Sequence, residues 1–437
     1  MNKLIILGAG ESGVGAAILG QQQGWDVFVS DYGRIAEKYK AVLNEHQIIF
    51  EEEKHSFDII DEANLVIKSP GIPDKVPVIK RLKALNIDII DEIEFASRYT
   101  DAFIIGITGS NGKTTVTGLV HHLIEQGGLK VGVAGNIGYS FAKRVAEEKN
   151  DYYVLEISSF QLDYCDTFAP DISILINITP DHLDRYDYKM ENYINSKFRI
   201  TDNQTSEQDF IYNGNDENII NTIANKEIDA NKLMVSAKYD ENGFLKVGND
   251  VYDTNKISIK GLHNHFNATC SIIVAKAVGV SDSAIRTGLA TFKNAPHRLE
   301  YIKTLNGVEY INDSKATNID ATFSALKGMT KPTVWIVGGQ DKGNDYDILK
   351  PLVKEKVKAI ICLTKDSEKL VQAFKDIVPI IKITEDVNES ATLAQAFAKS
   401  GDTVLMSSAC ASFDLFKNYI DRGNQFKKAV FELTMDN

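Results

Sequence analysis

Cysteine is scarce in this sequence. Only four of the 437 residues are cysteines, and they stand far apart, at Cys165, Cys270, Cys362 and Cys410. No two of them have the spacing of a zinc site or of a redox pair, so we expect small buried thiols in a reducing compartment. Proline is also sparse, with nine residues, and no proline-rich linker marks a domain boundary.

Basic clusters and long apolar runs are absent as well. The chain carries 48 Lys and Arg against 60 Asp and Glu, and no Lys/Arg-rich run stands out. This balance argues against nucleic acid as the main partner, because a phosphate backbone needs a basic face. No apolar run approaches the length of a membrane span, and the short run at residues 4–7 is typical of a strand rather than of a signal peptide. We therefore expect a cytoplasmic protein without a membrane span.

Short apolar runs alternate with helical patterns along almost the whole chain, which is typical of an α/β protein with mostly parallel sheets. The length predicts two to four domains. The apolar runs fall into three blocks, and we place the domains at residues 1–98, 99–295 and 296–437. A polar, Asn/Asp-rich part at about residues 201–260 is expected to form short strands and loops appended to the central sheet.

An apolar run, a glycine-rich turn and a helical pattern follow one another in "IGITGSNGKTT", residues 105–115. Backbone N–H groups at such a turn point toward an anion, Lys113 adds a mobile positive charge, and Thr114 offers a hydroxyl to Mg²⁺. The glycine spacing departs from the strict P-loop pattern, because position 107 is Ile and Gly106 stands one place early. We predict a cradle for the phosphates of ATP, with GTP second. The alternative is a structural turn before a helix.

A second glycine-rich turn, "GAGESG" at residues 8–13, also follows a strand. Asp31 ends the next strand, at the spacing of an acid that binds a ribose. Taken alone, this pattern predicts a nicotinamide or flavin dinucleotide. It indicates only that a nucleotide diphosphate could lie on this helix N-terminus, and a tight turn for strand–helix packing is the alternative.

Three further side chains of the central block are weighed as possible functional residues. Glu156 stands in "VLEISS" at the end of an apolar run, where it could either bind Mg²⁺ or meet solvent at a strand edge. His182, in "PDHLD", is either a metal ligand or a histidine on a surface turn. Lys197, on the predicted helix "YINSKFRI", has the pattern of an ordinary surface lysine.

Polar residues cluster after several strands of the third block. The motifs are "HRLE" at residues 297–300, "INDSKATN" at 311–318, "VGGQDKG" at 337–343 and "SSACASFD" at 407–414. An Asx-type loop would explain one such cluster. Repetition after several strands of one sheet predicts a shared site at their ends.

The motifs "GITGSNGKTT", "EISSFQL", "NITPDHLDRY", "SKFRI", "HNHFNA", "HRLE" and "DSKATN" occur in this order. Together they resemble the Mur ligase family, ATP-dependent amide-forming enzymes of peptidoglycan synthesis, over essentially the whole chain. The irregular P-loop is similar to the form that this family has. The resemblance implies three domains: a Rossmann-like N-terminal domain, a central P-loop ATPase-type α/β domain with a small appended β part, and a C-terminal Rossmann-like domain.

The resemblance also implies the reaction. "DSKATN" and "SSACASFDLFKNYIDRG" are similar to the members that add D-glutamate to UDP-N-acetylmuramoyl-L-alanine. Such a carbon–nitrogen ligase passes through an acyl phosphate and a tetrahedral intermediate and forms ADP and phosphate. It uses ATP and two Mg²⁺ ions, and we expect a monomer. The first glycine turn then holds the uridine diphosphate of the substrate rather than NAD. A regulatory ATPase and a dinucleotide-dependent oxidoreductase remain the alternatives from other classes.

Roles for individual residues follow from the resemblance alone. The catalytic residues would be Lys113, Lys197 and His182. Metal would be held by Thr114, Glu156, His182 and Lys197, the last as a carbamate formed with CO₂. ATP would be bound by Gly109, Ser110, Asn111, Gly112, Lys113, Thr114, Thr115, Asn264, Asn267, Arg298 and Asp313. The UDP-substrate would be bound by Ser12, Gly13, Asp31, Tyr32, Ser69, Gly71 and Asn136. D-Glutamate would be bound by Lys315, Thr317, Lys342, Ser412 and Phe413.

Overall fold

The computed structural model describes residues 2–236, 243–259 and 262–434. These residues form two compact units, Met1–Ser258 with Phe266–Phe292, and Ile259–His265 with Lys293–Asn437. Most of the regular structure in the described residues is three mostly parallel sheets and their helices, with one small antiparallel hairpin besides, so the predicted α/β class is confirmed. None of the helices in the described ranges combines the length and the apolar character that crossing a bilayer requires.

The first unit begins with a five-stranded parallel sheet in the order β3-β2-β1-β4-β5. Its strands are β1 (Lys3–Leu7), β2 (Asp26–Ser30), β3 (Ile49–Glu51), β4 (Leu65–Lys68) and β5 (Ile89–Ile90). Its helices are α1 (Glu11–Gln22), α2 (Glu37–Glu45), α3 (Phe57–Ile60), α4 (Pro77–Ala84) and α5 (Glu92–Ser97). After β1 the chain continues to β2 on one side of the sheet, and after β4 it continues to β5 on the other side. This change of direction opens a crevice at the carboxyl ends of β1 and β4.

A six-stranded parallel sheet follows in the order β11-β10-β9-β6-β8-β7. Its strands are β6 (Phe103–Thr108), β7 (Val131–Gly135), β8 (Tyr152–Glu156), β9 (Ile172–Leu175), β10 (Asp209–Asn213) and β11 (Asn231–Val235). Its helices are α6 (Lys113–Gln126), α7 (Phe141–Glu147), α8 (Ser159–Leu162), α9 (Met190–Phe198), α10 (Glu217–Asn225), α11 (Leu262–Ala277) and α12 (Asp282–Thr291).

Residues 201–260 contain short strands, as predicted, and two of these strands belong to the central sheet itself. β10 and β11 are regular parallel strands, joined through α10, that extend the central sheet. Phe210 and Ile211 are fully buried, but polar neighbours obscured this short apolar run in the sequence. Only the antiparallel hairpin of β12 (Phe244–Val247) and β13 (Asp250–Asp253) fits the expected appended part. Residues 237–242 and 260 of the predicted segment lie outside the described residues.

The first two sheets share one hydrophobic core. It contains Leu4 and Val14 from the first sheet and its helix, and Phe141 and Leu155 from the second. Helices α1 and α7 approach so closely that a Cβ atom on Gly15 would lie 1.9 Å from Ser140 Oγ. Glycine is therefore required in α1 for this contact, which fixes the two sheets against each other.

The second unit has a six-stranded sheet in the order β14-β15-β19-β16-β17-β18, in which only the β14–β15 pair is antiparallel. Its strands are β14 (Glu300–Leu305), β15 (Val308–Asp313), β16 (Thr333–Val337), β17 (Val357–Leu363), β18 (Ile381–Thr384) and β19 (Thr403–Ser407). Its helices are α13 (Ile319–Gly328), α14 (Lys350–Lys356), α15 (Glu368–Phe374), α16 (Val387–Phe397) and α17 (Tyr419–Glu432). The four cysteines are free and buried, as the sequence predicts.

Candidate functional site

The loop between β6 and α6 has the backbone of a phosphate cradle. Gly109 and Gly112 adopt φ angles of 149° and 92°, which other residues rarely reach. A Cβ atom on Gly109 would also lie 3.1 Å from Ile176. The two loop glycines are therefore required where they stand, although the strict motif would place the first one at position 107. The first N–H groups of α6 point out of its N-terminus, where an anion is favoured.

Two lysine side chains meet at this loop. Lys113 Nζ donates to the carbonyl oxygens of Gly109 and Ser110 over 2.7 and 3.0 Å, and Lys197 Nζ donates to Gly109 O over 2.8 Å. Lys197 is 1% exposed, so its interpretation as a surface lysine is wrong. Burial, and then the nearby charge of Lys113, hold the pKa of Lys197 well below its usual range. The helical pattern of α9 gave no sign of this, because the loop that covers Lys197 is far away in sequence.

Glu156 ends β8 beside the start of this loop. It is paired in register with Ile107 of β6, and it is 2% exposed, so a position in solvent is wrong. Asn136 Nδ2 donates to Glu156 Oε1 over 2.9 Å. Thr114, in the first turn of α6, is also buried. A buried carboxylate and a hydroxyl at the mouth of a phosphate cradle form a donor set that fits Mg²⁺, which prefers oxygen ligands and keeps several waters.

His182 lies on a turn with φ 52°, and its side chain is 45% exposed. Its ring packs edge-on against Phe160, and Nε2 lies 3.7 Å from Asp181 Oδ2. Within the described ranges there is no group of three or more His, Cys, Asp or Glu side chains arranged to hold a metal.

The remaining predicted ATP residues divide between the two units. Asn267 of α11 backs the cradle, because a Cβ atom on Gly112 would lie 3.3 Å from Asn267 Oδ1. Asn264, on the same helix, is buried. Arg298 and Asp313 belong to the second unit. Arg298 Nε is buried and has no hydrogen-bond partner in the part of the chain that the structure describes.

A cavity of about 830 Å³ opens at the carboxyl ends of the first sheet. Four of the predicted UDP-substrate residues line it, namely Asp31, Tyr32, Ser69 and Gly71, together with Gly8, Gly10 and His55. This volume suits a small ligand of the size of a nucleotide. Ser12, Gly13 and Asn136 are not in its lining. Gly13 serves packing, since a Cβ atom there would lie 1.8 Å from Gly8 O.

Asp31 is already engaged by the backbone. Its Oδ2 accepts from Ala9 N over 2.7 Å, and its Oδ1 accepts from Gly33 N over 2.8 Å. The carboxylate therefore holds the glycine turn and its own loop in place. Its interpretation as a ribose-binding acid would require it to keep these bonds while it accepts from a ligand.

The loop that carries Ser69 and Gly71 is fastened from both sheets. Lys68 Nζ, buried at the end of β4, donates to Ile72 O over 2.9 Å, and it lies 4.1 Å from the ring centre of Tyr164. Arg185, from the "NITPDHLDRY" motif, donates to Pro70 O over 3.4 Å. The cavity wall is thus tied to the segment that carries His182, which the sequence did not indicate.

Three strand-end loops meet in the second unit, as the repeated polar motifs predict. Gln340 N donates to Ala411 O over 2.7 Å, which joins the loops after β16 and β19. Lys315, after β15, is half-buried, with Nζ 5.7 Å from the ring centre of Tyr419. Among the other predicted D-glutamate residues, Ser412 is buried and Thr317, Lys342 and Phe413 are exposed.

Arg422 of α17 holds these loops together, and sequence reasoning missed it. Its guanidinium is 1% exposed and donates to Ser314 O and Oγ, Gly338 O and Cys410 O over 2.8–3.3 Å. Burial lowers its pKa to about 10, so it stays charged at neutral pH. The "DRG" of the quoted C-terminal motif was the available signal, but its partners are backbone carbonyls that no motif reveals.

Asp313 is a buried acid of this unit. Its Oδ2 accepts from Ser407 Oγ over 2.8 Å, and its Oδ1 accepts from Leu299 N over 3.1 Å. Burial raises the pKa of Asp313 to about 6, against the opposing effects of the Ser407 hydrogen bond and the charge of Arg298. Keeping this buried carboxylate ionised is costly to the fold.

Comparison with known families assigns all three parts of the chain. The family models that match are described as MurD N-terminal domain, at residues 3–78, Mur ligase middle domain, at 107–275, and Mur ligase, glutamate ligase domain, at 297–410. Two relatives, both described as UDP-N-acetylmuramoylalanine--D-glutamate ligase, match the chain from end to end. That of Christiangramia forsetii is 52% identical, covering 99% of both chains, and that of Bacteroides fragilis is 48% identical, covering 99% of this chain and 100% of its own.

Solved structures agree in fold. A UDP-N-acetylmuramate-alanine ligase of Thermotoga maritima matches with a TM-score of 0.61 at 18% identity, over 98% of this chain and 99% of that one. A MurF ligase from the same organism, in complex with ADP, matches with a TM-score of 0.60 at 17% identity, over 86% and 92%. The chain belongs to the Mur ligase family and has its three-domain α/β architecture.

Proposed function

We propose that this chain joins D-glutamate to UDP-N-acetylmuramoyl-L-alanine at the expense of ATP, in the synthesis of peptidoglycan precursors. The observation that carries the proposal is the full-length match, at 52% identity, to a relative whose name describes this reaction. The P-loop, the cavity at the first sheet and the joined loops of the second unit support the proposal of one site for each of three substrates. The assignment of domains to residues 1–98, 99–295 and 296–437 is part of the proposal, as are a cytoplasmic location and a monomeric state.

The chemistry requires an activated acid, because a carboxylate is a poor acyl donor. Transfer of the γ-phosphoryl group of ATP to the L-alanine carboxylate gives an acyl phosphate with a good leaving group. The D-glutamate amine then attacks the acyl carbon, and the tetrahedral intermediate loses phosphate. Lys113 would leave the carbonyl oxygens of Gly109 and Ser110 to neutralise the transferred phosphoryl group, since charge stabilisation dominates such reactions.

Metal ions complete this picture. Thr114 and Glu156 would hold one Mg²⁺, while His182 and Lys197 would help to hold a second. Bound Mg²⁺ neutralises phosphate charge and aligns the reacting oxygens. As an ammonium group, Lys197 has no lone pair with which to bind a cation. Once it is deprotonated, the neutral amine attacks CO₂ with loss of a proton and becomes an anionic carbamate. The burial that depresses the pKa of Lys197 favours this neutral form.

Phosphate release from ATP tests the proposal directly. The purified chain is supplied with UDP-N-acetylmuramoyl-L-alanine, with D-glutamate, with both or with neither. We expect release that depends strictly on both. Release independent of any amino acid would favour a regulatory ATPase, and binding of NAD(P) without ligation would favour an oxidoreductase.

A further inference from the structure

His55 lies in the wall of the cavity at the first sheet, on the loop between β3 and α3. Its Nδ1 lies 2.7 Å from Ser30 Oγ, and the same hydroxyl oxygen lies 2.7 Å from Glu51 Oε1. Ser30 is fully buried at the end of β2, and Glu51 is 8% exposed at the end of β3. The imidazole is therefore anchored at one nitrogen by a buried Ser–Glu pair.

This anchor determines the tautomer of His55. A serine hydroxyl has one proton, and an ionised carboxylate can only accept, so Ser30 donates to Glu51. The Ser30 oxygen must then accept from His55, which places a proton on Nδ1. Although burial opposes it, hydrogen bonds from Ser56 and Ser30 keep the pKa of Glu51 below its ordinary value, so Glu51 is ionised at neutral pH.

The other ring nitrogen is left as an acceptor. Burial lowers the pKa of His55, against the charges of Glu51 and Asp31, so the ring is neutral near pH 7. Nε2 then carries a lone pair. Within the described part of the chain, Nε2 makes no hydrogen bond. It is also not one of the buried side-chain atoms that lack a hydrogen-bond partner. Since Nδ1 is turned into the protein, the Nε2 edge is the part of the ring that a ligand in the cavity meets.

We propose that His55 selects the base of the UDP-substrate, with Nε2 accepting the imide N3–H of uracil. This inference rests on the proposed function, which places the uridine end in this cavity. Cytosine presents a lone pair at N3, so two acceptors would face each other and the site would lose a hydrogen bond. The exposed ring of Tyr32 lies 5.6 Å from the ring of His55, which gives the base an aromatic neighbour at the same wall.

Calorimetric titration of the full chain with UDP and with CDP tests this role. We expect wild-type protein to prefer UDP by roughly tenfold or more, the effect of one hydrogen bond with an unpaired alternative. His55→Leu should bring the two affinities close together. His55→Gln should restore part of the preference, because its amide oxygen can take the place of Nε2. His46→Leu, which changes a histidine outside the cavity lining, should keep the wild-type ratio.

The tautomer gives a second measurement that needs no variant. Nitrogen-15 spectra of wild-type protein labelled at histidine should show His55 protonated at Nδ1, with the Nε2 resonance shifting when UDP is added. Equal affinity for UDP and CDP, an unchanged ratio in folded His55→Leu, or a proton on Nε2 would each overturn the role of His55 while leaving the proposed function intact. Failure of the wild-type protein to bind UDP at all would overturn both.

Discussion

Lys113 and Lys197 donate to the same carbonyl oxygen, that of Gly109. When both amino groups are protonated, their positive charges repel each other, and Lys197 is almost completely buried. The fold keeps this costly pair at the phosphate loop, which is where a negatively charged ligand would relieve the repulsion.

The buried amine of Lys197 should make the protein more stable at high pH. Its folded pKa lies below the unfolded value, so between the two the unfolded chain binds more protons and the free energy of unfolding rises with pH. Lys197→Met removes this penalty. We expect the variant to melt at a higher temperature than wild type in CO₂-free buffer, with the difference shrinking toward pH 10.5. Lys130→Met, at an exposed lysine, is the control, and a difference independent of pH would contradict the prediction.

The same amine should react with CO₂. In carbon-13-labelled bicarbonate, wild-type protein should show a carbamate carbon signal that strengthens when Mg²⁺ and nucleotide are added, because an anion at Lys197 would then be paired. Lys197→Met should show no signal. A spectrum of active wild-type enzyme without a carbamate signal would refute the modification.

Loss of Lys113 should remove almost all turnover without unfolding the chain. Its amino group donates to two carbonyl oxygens of the loop and is not part of the hydrophobic core, so we expect Lys113→Ala to fold. We expect kcat to fall by a factor on the order of 10²–10³, the usual effect of removing one group that stabilises the transition state. Phosphate release measures the rate, and circular dichroism checks the fold. A near-normal rate would refute the role of the P-loop.

Arg422 should act on the D-glutamate site by holding its loops. Arg422→Lys keeps the charge but loses the fork that reaches three loops, so several carbonyls lose a donor, each costing about 1–3 kcal/mol. We expect lower resistance to urea and a higher KM for D-glutamate, with the KM for ATP less affected. Arg286→Lys, on an exposed helix position, is the matched control. If stability falls with unchanged KM for D-glutamate, Arg422 serves the fold alone.

Asp313 should make the protein less stable as pH rises from 3.8 to about 6. Because its folded pKa is raised, the folded state binds more protons in this window, and the free energy of unfolding falls by up to about 3 kcal/mol, at 1.36 kcal/mol for each pKa unit. In Asp313→Asn this slope should disappear, so the melting temperature of the variant relative to wild type should climb through the window and level off above it. Parallel curves for the two proteins would contradict the prediction.

The sequence predicted the strands of the three blocks well, because fully buried parallel strands appear as continuous apolar runs such as that of β1. β10 and β11 were not identified as sheet strands, because their short apolar cores stand among Asn and Asp. The glycine turn at the P-loop was also identified from the sequence. The need for glycine at position 109 was not, because it depends on Ile176, which directly follows β9 and would crowd a Cβ atom there.

Local chemistry was therefore determined by the sequence itself: two glycine turns at helix N-termini, polar loops after strands, and the order of motifs that resembles one family. Only the tertiary structure decided the environments of Lys197, Glu156, Arg422 and His55. Burial and hydrogen-bond partners come from segments distant in sequence, such as the P-loop carbonyl that receives Lys197 and the β2 serine that fixes the tautomer of His55. Charge state and donor character depend on those partners, so residue type and spacing alone could not predict them.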